Sequence, residues 1–374
     1  MGNGPAREPG EPASASRTMS RPLVSIGIPT RNRGASLAAC LDSIRQQDYE
    51  PLEILISDNG STDATQAIAE AAARGDARIR YLRHQQDIGL HANHNVCLDG
   101  ARGEFVCVFH DHDERDPRLI SEYVAWLQAH PEAGVASSNW EMIDGKGVVV
   151  GVRDHDVPPV TEGIAFIDRT IRSGRCSVGI PGAMIRRAAL ADIRFDPDAP
   201  IGFGDFPLWF QLAERSVIGH IPRRLWRCRQ VPGAQSARTI ESWVRDYDEN
   251  LTRYCEGYRR RWPQREAFVG RWKRLIRRYA FWALAFEVGL HCRNPRAGAA
   301  PAPWSPQTTA ELLAYRLSPE AFQRALDQLA TYRTAASEYL AYAAMRLLLR
   351  SRLTSPLTWA TYHTAAFRRL LKLC

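Results

Sequence analysis

Glu104-Phe105-Val106-Cys107-Val108-Phe109-His110-Asp111-His112-Asp113 is an apolar run that stops abruptly at four polar, chemically active residues. A short uninterrupted run of this kind reads as a strand covered on both faces, the habit of a parallel sheet. Whatever follows such a strand stands at its carboxyl end, and in open α/β sheets ligands bind there.

Upstream segments repeat the pattern. Leu23-Val24-Ser25-Ile26-Gly27-Ile28 is apolar, rich in β-branched residues and closed by Pro29. Leu52-Glu53-Ile54-Leu55-Ile56-Ser57 runs into Asp58-Asn59-Gly60-Ser61-Thr62-Asp63, and Ile79-Arg80-Tyr81-Leu82 reads as a shorter strand. Helices fit between them. Leu37, Cys40, Leu41 and Ile44 recur at i, i+3, i+4 and i+7, the stripe that a helix buries. The cluster ending at Asp63 supplies N-cap chemistry for a helix through Ala71, and another helix covers Leu90 to Ala101. Asp116-Pro117 starts one more, with Ile120, Val124 and Leu127 facing inward. Such alternation predicts an α/β fold, a doubly wound and mainly parallel sheet flanked by helices. That fold gathers the polar clusters at 29–33, 58–63 and 110–113 on one edge, a stronger signal than any one cluster.

From about Trp140 the pattern changes. Asp144-Gly145-Lys146-Gly147 reads as a hairpin turn before Val148-Val149-Val150, and Gly179 to Ala189 as a Gly/Pro loop leading into a helix start. From about Ile240 to the end the chain reads as almost wholly helical, with 294–306, rich in Pro and Ala, as a linker. Residues 1–20 carry Gly, Pro, Ala and Ser without an apolar period and read as a disordered leader. They lack the apolar core of a secretion signal and the Ser or Thr of a myristoylation signal.

With 24% charged and 45% hydrophobic residues, the 374-residue chain is ordinary for a globular protein, which excludes general disorder. No apolar run reaches the roughly 18–20 residues of a membrane span. The nearest, Tyr279 to Leu290, is short and contains Glu287. The eight cysteines are scattered without a C-x-x-C pair and read as small buried hydrophobes in a reducing compartment. A net charge of +8 suits a nucleotide diphosphate, an anionic membrane surface or a nucleic acid. No recognised nucleic-acid module accompanies the arginines, so nucleic acid is the weakest of these partners.

Asp111 and Asp113, at i and i+2 past a strand end, can hold a divalent cation together with the diphosphate that accompanies it. A hard cation such as Mg²⁺ or Mn²⁺ favours oxygen ligands and keeps positions open for phosphate oxygens. His110 and His112 also invite a zinc reading, but no separate His or Cys pair at metal-site spacing supports structural zinc. Asp58, at the end of the second strand, can accept a hydrogen bond from a base N–H or serve as a turn residue.

Taken together, these residues resemble the family 2 inverting glycosyltransferases of the GT-A type. The resemblance runs over residues 21–240. It is carried by Val24 to Asn32, Glu53 to Asp63, Gly89 and Asn93, and Phe109 to Asp113. It implies that Pro29, Thr30 and Arg31 line a nucleotide pocket, with Asn93 in the same donor half. Asp58 would recognise the base, usually uracil. Asp111 would contact ribose or metal-bound diphosphate, and Asp113 would ligate the metal, Mn²⁺ or Mg²⁺. Residues 21–115 would form the nucleotide-sugar half, 116–240 the acceptor half, and 241–374 a helical C-terminal region.

The family places its general base in an acidic pair before a Trp-containing helix. Here Gly204-Asp205-Phe206-Pro207-Leu208-Trp209 fills that place, so Asp205 would be the base and Gly204 replaces a frequent Glu. Gly179 to Met184 looks like the loop before the acceptor site. Arg227-Cys228-Arg229-Gln230 resembles the segment that closes over the diphosphate, with Gln230 where many relatives carry His, so that role would fall to Arg229 or Arg227.

The implied partners are a nucleoside-diphosphate sugar, most simply a UDP-sugar, and a glycan or lipid-linked acceptor. Leu347-Leu348-Leu349-Arg350 and Phe367 to Lys372 suit either a solvated basic face or an anionic membrane surface. The expected location is the cytoplasm, including the inner face of the cell membrane. A sugar-phosphate nucleotidyltransferase would normally show a Gly-rich loop with a basic residue after the first strand, where this chain has Pro29-Thr30-Arg31-Asn32-Arg33-Gly34. A non-catalytic binding protein on the same fold would be expected to lose Asp113 or Asp205.

Overall fold

The computed structural model describes residues 21–230, 240–277 and 279. The first half alternates as β1 (Val24–Thr30), α1 (Gly34–Arg45), β2 (Leu52–Asp58), α2 (Thr65–Gly75), β3 (Ile79–Arg83), α3 (Leu90–Asp99) and β4 (Phe105–Val108). These strands lie parallel in the order β3-β2-β1-β4. Every residue of β1 and β4 is buried, so both faces need cover.

The second half adds β5 (Glu114–Arg115), α4 (Leu119–Ala129), β6 (Ala133–Ile143), β7 (Val149–Arg153), β8 (Val160–Thr161), α5 (Gly163–Ser173), β9 (Ala183–Arg186), α6 (Arg187–Leu190), α7 (Phe206–Ala213), β10 (Val217–Arg229) and α8 (Ile240–Arg261). The sheet continues as β9-β6-β10-β5, with β7 pairing β6 and β8 pairing β10. β9 runs antiparallel between β4 and β6, while β6 and β10 are parallel. The sheet is therefore mainly parallel along its spine, with β9 reversed within it and the marginal strands β5, β7 and β8 also antiparallel to their neighbours. Along β4, Phe105 and Cys107 enter the core shared with α1 and α4. Val106 and Val108 enter the opposite core, shared with α5, α7 and α8.

Three strands depart from the sequence expectation. β9 falls inside the stretch read as a loop, and the expected helix start is only the four-residue α6. β6 hides its strand character behind Ser137, Ser138 and Asn139, all buried. Each is satisfied: Ser137 Oγ donates to the Gly219 carbonyl (2.9 Å), Tyr123 Oη donates to Ser138 Oγ (2.7 Å), and His220 Nε2 pairs with Asn139 Oδ1 (2.9 Å). In β10 the register shifts around Arg224, and the exposed Arg223 and Arg224 break the apolar run.

The expected hairpin at 144–147 is present, with Gly147 N–H donating to the Asp144 carbonyl at 3.1 Å and Gly147 at φ 85°. The described part of the C-terminal region does not stand apart. Tyr247, Leu251, Tyr254, Tyr258 and Trp272 share one core with Phe206 and Phe210 of α7. The six cysteines among the described residues are free thiols, and Cys40, Cys97, Cys107 and Cys255 are buried. Among the described residues no helix is long and apolar enough to cross a membrane. The leader at 1–20, the apolar run beyond Tyr279, the linker at 294–306 and the basic segments at 347–350 and 367–372 lie outside the described residues.

Candidate active site

Strand register brings the first three strand ends together. Thr30 lies opposite Asp58, and Asp58 opposite Arg83, so β1, β2 and β3 end level with one another. Thr30 Oγ1 donates to Asp111 Oδ2 at 2.6 Å, tying the end of β1 to the loop after β4. Arg33 Nε stands 3.8 Å from Asp111 Oδ1. Asn32 turns the first loop in a left-handed conformation (φ 51°), which Asn tolerates better than most residues. Its Oδ1 accepts from Thr62 N–H at 2.8 Å, joining the first loop to the second.

Pro29 is buried in β1, whereas Arg31 is exposed and ion-paired with Asp87. Asn59 Nδ2 donates to that same Asp87 at 2.6 Å, so three loops are cross-linked. Asp58 is 0% exposed and accepts from Ser61 N–H (2.9 Å) and Tyr81 Oη (2.7 Å). Asn93, 3% exposed, accepts from Ser57 Oγ at 2.6 Å and donates to the Ser57 carbonyl at 3.1 Å, clamping α3 to β2.

The loop after β4 holds a buried carboxylate that is only half satisfied. Asp113 is 1% exposed; its Oδ1 accepts from Arg229 N–H at 2.8 Å, but its buried Oδ2 has no hydrogen-bond partner. A buried, unpaired acceptor costs roughly 1–3 kcal/mol, and more if charged. Burial pushes the Asp113 carboxyl up, against the pull of His112 and Arg115. A divalent cation would meet that oxygen's need, so the donor set fits one. His110 Nδ1 lies 3.7 Å from Oδ2, and His112 Nε2 lies 3.9 Å from Oδ1. Arg115 braces the loop from behind, donating to the Asp113 carbonyl (2.7 Å) and the His110 carbonyl (3.2 Å) over the Phe109 ring.

Farther along the chain, Asp205 occupies the N-cap position of α7, with no side-chain cap hydrogen bond. Phe203 two residues earlier is left-handed (φ 58°), held there by ring contacts with Phe206, Trp243 and Tyr247 at 5.0–5.2 Å. Asp205 Oδ2 accepts from Trp209 Nε1 at 3.1 Å. Burial pushes its carboxyl up to about 6, although the Trp209 hydrogen bond pulls the other way. α8 supports this loop: Asn250 Nδ2 donates to the Pro200 carbonyl (3.0 Å) and the Gly202 carbonyl (2.7 Å), while Asp246 accepts from Gly202 N–H.

A Cβ on Gly204 would come within 2.4 Å of the His91 ring, which explains why no side chain stands there. His91 reaches across from α3 and stacks on Phe195 at 5.6 Å. One turn along α3, His94 packs edge-on against His110 at 5.9 Å. One helix therefore touches both the Asp205 loop and the Asp113 loop. Sequence reasoning missed His91 and His94, whose i, i+3 spacing on a helix was the available signal. Arg229 donates to the carbonyls of His112 (3.2 Å) and Asp144 (2.9 Å) and pairs with Glu114, and Arg227 pairs with Glu141 at 3.0 Å. Both of the arginines expected to face a diphosphate are engaged within the protein.

Residues 25–193 match the model of glycosyl transferase family 2. An uncharacterized protein of Mycobacterium tuberculosis is 28% identical over 248 residues, 62% of this chain and 75% of that relative. The GalNAc(5)-diNAcBac-PP-undecaprenol beta-1,3-glucosyltransferase of Campylobacter jejuni is 39% identical over 116 residues, 31% of this chain. The chain spans 36% of that relative's length. Among solved structures, S. aureus TarS 1-349 in complex with UDP-GlcNAc aligns with a TM-score of 0.49 at 15% identity, covering 82% of this chain and 91% of the other. Mannosyltransferase PcManGT of Pyrobaculum calidifontis, in complex with GDP-Man and Mn²⁺, aligns with a TM-score of 0.48 at 19% identity, covering 92% of this chain and 85% of the other.

Proposed function

We propose that this protein is an inverting glycosyltransferase that moves a sugar from a nucleoside-diphosphate donor, most simply a UDP-sugar, to a hydroxyl of a glycan or lipid-linked acceptor. The observation that carries the reading is a pair of acids with opposite needs on loops bridged by α3. Asp113 has a buried oxygen that lacks a partner, and Asp205 has a carboxyl raised to about 6. The first suits a cation, and the second suits a proton acceptor working near neutral pH.

In this reading Pro29, Thr30 and Arg31 line the nucleotide pocket, with Asn93 clamping the helix behind it. Asp58 uses two of the roughly four lone-pair positions of a carboxylate within the protein, leaving acceptor capacity for a base N–H. Asp113 would hold Mn²⁺ or Mg²⁺, which would supply Lewis-acid stabilisation to the departing diphosphate, and Asp111 would contact ribose or the metal-bound diphosphate. The Asp205 carboxylate takes the proton of the acceptor hydroxyl as that oxygen bonds to the anomeric carbon. The bond from that carbon to the diphosphate oxygen breaks with inversion. By its name, the Campylobacter relative adds glucose to an undecaprenol-linked glycan. A lipid-linked glycan is therefore the first acceptor class to test, and it would bring the protein to the cytoplasmic face of the membrane.

The test is nucleoside-diphosphate release from a panel of nucleotide sugars, with Mn²⁺ or Mg²⁺ and with candidate acceptors. Asp113→Ala is expected to weaken metal-dependent donor binding. Asp205→Asn is expected to leave donor binding near normal while cutting transfer about 10²–10⁴-fold. Equal loss of donor binding in both variants would refute this division of roles. Release of pyrophosphate instead of a nucleoside diphosphate would point to the nucleotidyltransferase alternative.

A further inference from the structure

We infer that His110 and His112 are themselves metal ligands, making the cation site a two-imidazole, one-carboxylate centre that prefers transition ions to Mg²⁺. The inference rests on the proposal that Asp113 holds a cation. One ligand atom from each of His110, His112 and Asp113 lies within 4.8 Å of the others, and all three residues sit on a single turn. The separations of 3.7 Å and 3.9 Å between the imidazole nitrogens and the Asp113 oxygens are too long for hydrogen bonds. The same oxygen that faces His110 is the buried Oδ2 without a partner. Polar groups that converge without bonding to one another are arranged for something between them.

His112 is also oriented as a ligand. Its Nδ1 pairs with Asp111 Oδ1 at 2.9 Å, and an ionised carboxylate can only accept, so Nδ1 carries the proton. Nε2 is then the bare nitrogen, and it faces Asp113. Asp111 is pinned in turn by Thr30 Oγ1 at 2.6 Å. This is the arrangement in which a carboxylate behind a histidine fixes its tautomer and raises its basicity as a ligand. Asp111 therefore acts on the metal through His112. His110 is wedged between the edge of His94 and the face of His112, with ring centroids at 5.9 Å and 5.7 Å. Imidazole suits zinc, cobalt and other first-row transition ions, whereas Mg²⁺ favours all-oxygen sites, so the donor set decides the preference.

The test uses the full-length, chelator-treated protein, titrated calorimetrically with MgCl₂, MnCl₂, CoCl₂ and ZnCl₂, each with and without UDP. The visible spectrum of bound Co²⁺ reports nitrogen ligation without any turnover. Affinity is expected to rise in the order Mg²⁺, Mn²⁺, Co²⁺, Zn²⁺. His110→Asn and His112→Asn should each weaken Co²⁺ by at least about 10-fold and change its spectrum, and Asp111→Asn should cost about 10–100-fold as a supporting partner. His112→Gln serves as a second variant, with far-UV circular dichroism checking that each variant folds. If Mg²⁺ and Co²⁺ bind equally and the histidine variants match the parent while Asp113→Asn loses the ion, the site is all-oxygen. The histidine inference then falls and the proposed function stands. If ions bind as predicted but no nucleotide sugar is turned over, the proposed function fails and the metal centre remains. No ion binding under any condition overturns both.

Discussion

At the scale of single residues, Asp205 makes the most exposed prediction. Its carboxyl, near 3.8 in an unfolded chain, is raised to about 6 in the fold by burial. A raised carboxyl means that the fold disfavours the charged form. The penalty is therefore absent below about pH 4, grows between 4 and 6, and is complete above 6. Asp205→Asn removes it and should stabilise the protein by about 1–3 kcal/mol at pH 7, with no difference near pH 4. The same ionisation should shape activity: kcat/KM in the parent falls as pH drops below about 6, because only the carboxylate accepts a proton. Denaturant melts and rate profiles across pH 4–8 check both. A variant no more stable at pH 7 than at pH 4 would mean that the carboxyl is not desolvated. Asp111, Asp113 and Asp205 were legible in the sequence because each stands at the end of an apolar strand or the start of a Trp-containing helix. His91 was not, because its partner Gly204 lies more than a hundred residues away and carries no side chain to suggest a contact.

At the scale of elements, α8 shows what the sequence could not convey about the C-terminal region. Its composition announces a helix, but which surface it covers depends on tertiary packing against α7. Asn250 is fully buried and gives both amide hydrogens to the loop that carries Asp205. Asn250→Ala leaves two loop carbonyls without donors and should cost about 1–3 kcal/mol of stability. If Asp205 is the base, transfer should fall while donor affinity stays unchanged, since both Asn250 amide bonds go to the carbonyls of Pro200 and Gly202. Measuring kcat against the donor dissociation constant separates the two effects, and a matching loss in both would assign Asn250 to general stability alone. The first strands were readable because β1, β2 and β4 are nearly continuous apolar runs. β6 and β10 were not, because buried Ser137, Ser138 and Asn139 and the paired Arg223 and Arg224 look like loop residues until their partners across the sheet are known.

At the scale of the whole molecule, the loop at 110–113 and the loop carrying Asp205 both meet α3. His94 abuts the 110–113 loop through His110, and His91 fills the space beside Gly204. The interior is close-packed, so ordering at one end of α3 is felt at the other. Bound nucleotide also stabilises the folded state by mass action, by about 2.7 kcal/mol at a hundredfold excess over its dissociation constant. We therefore expect UDP with Mn²⁺ to slow amide exchange in the strand-end loops at 29–33 and 110–113, and also at 200–206, where His91 of α3 meets Gly204. His91→Ala opens a gap on the Gly204 face and should remove the distant protection while keeping the local one. Hydrogen exchange read by mass spectrometry resolves these segments. Protection confined to the strand-end loops in the parent would mean that the halves are organised independently, and that Asp205 gains its position from α7 and α8 alone.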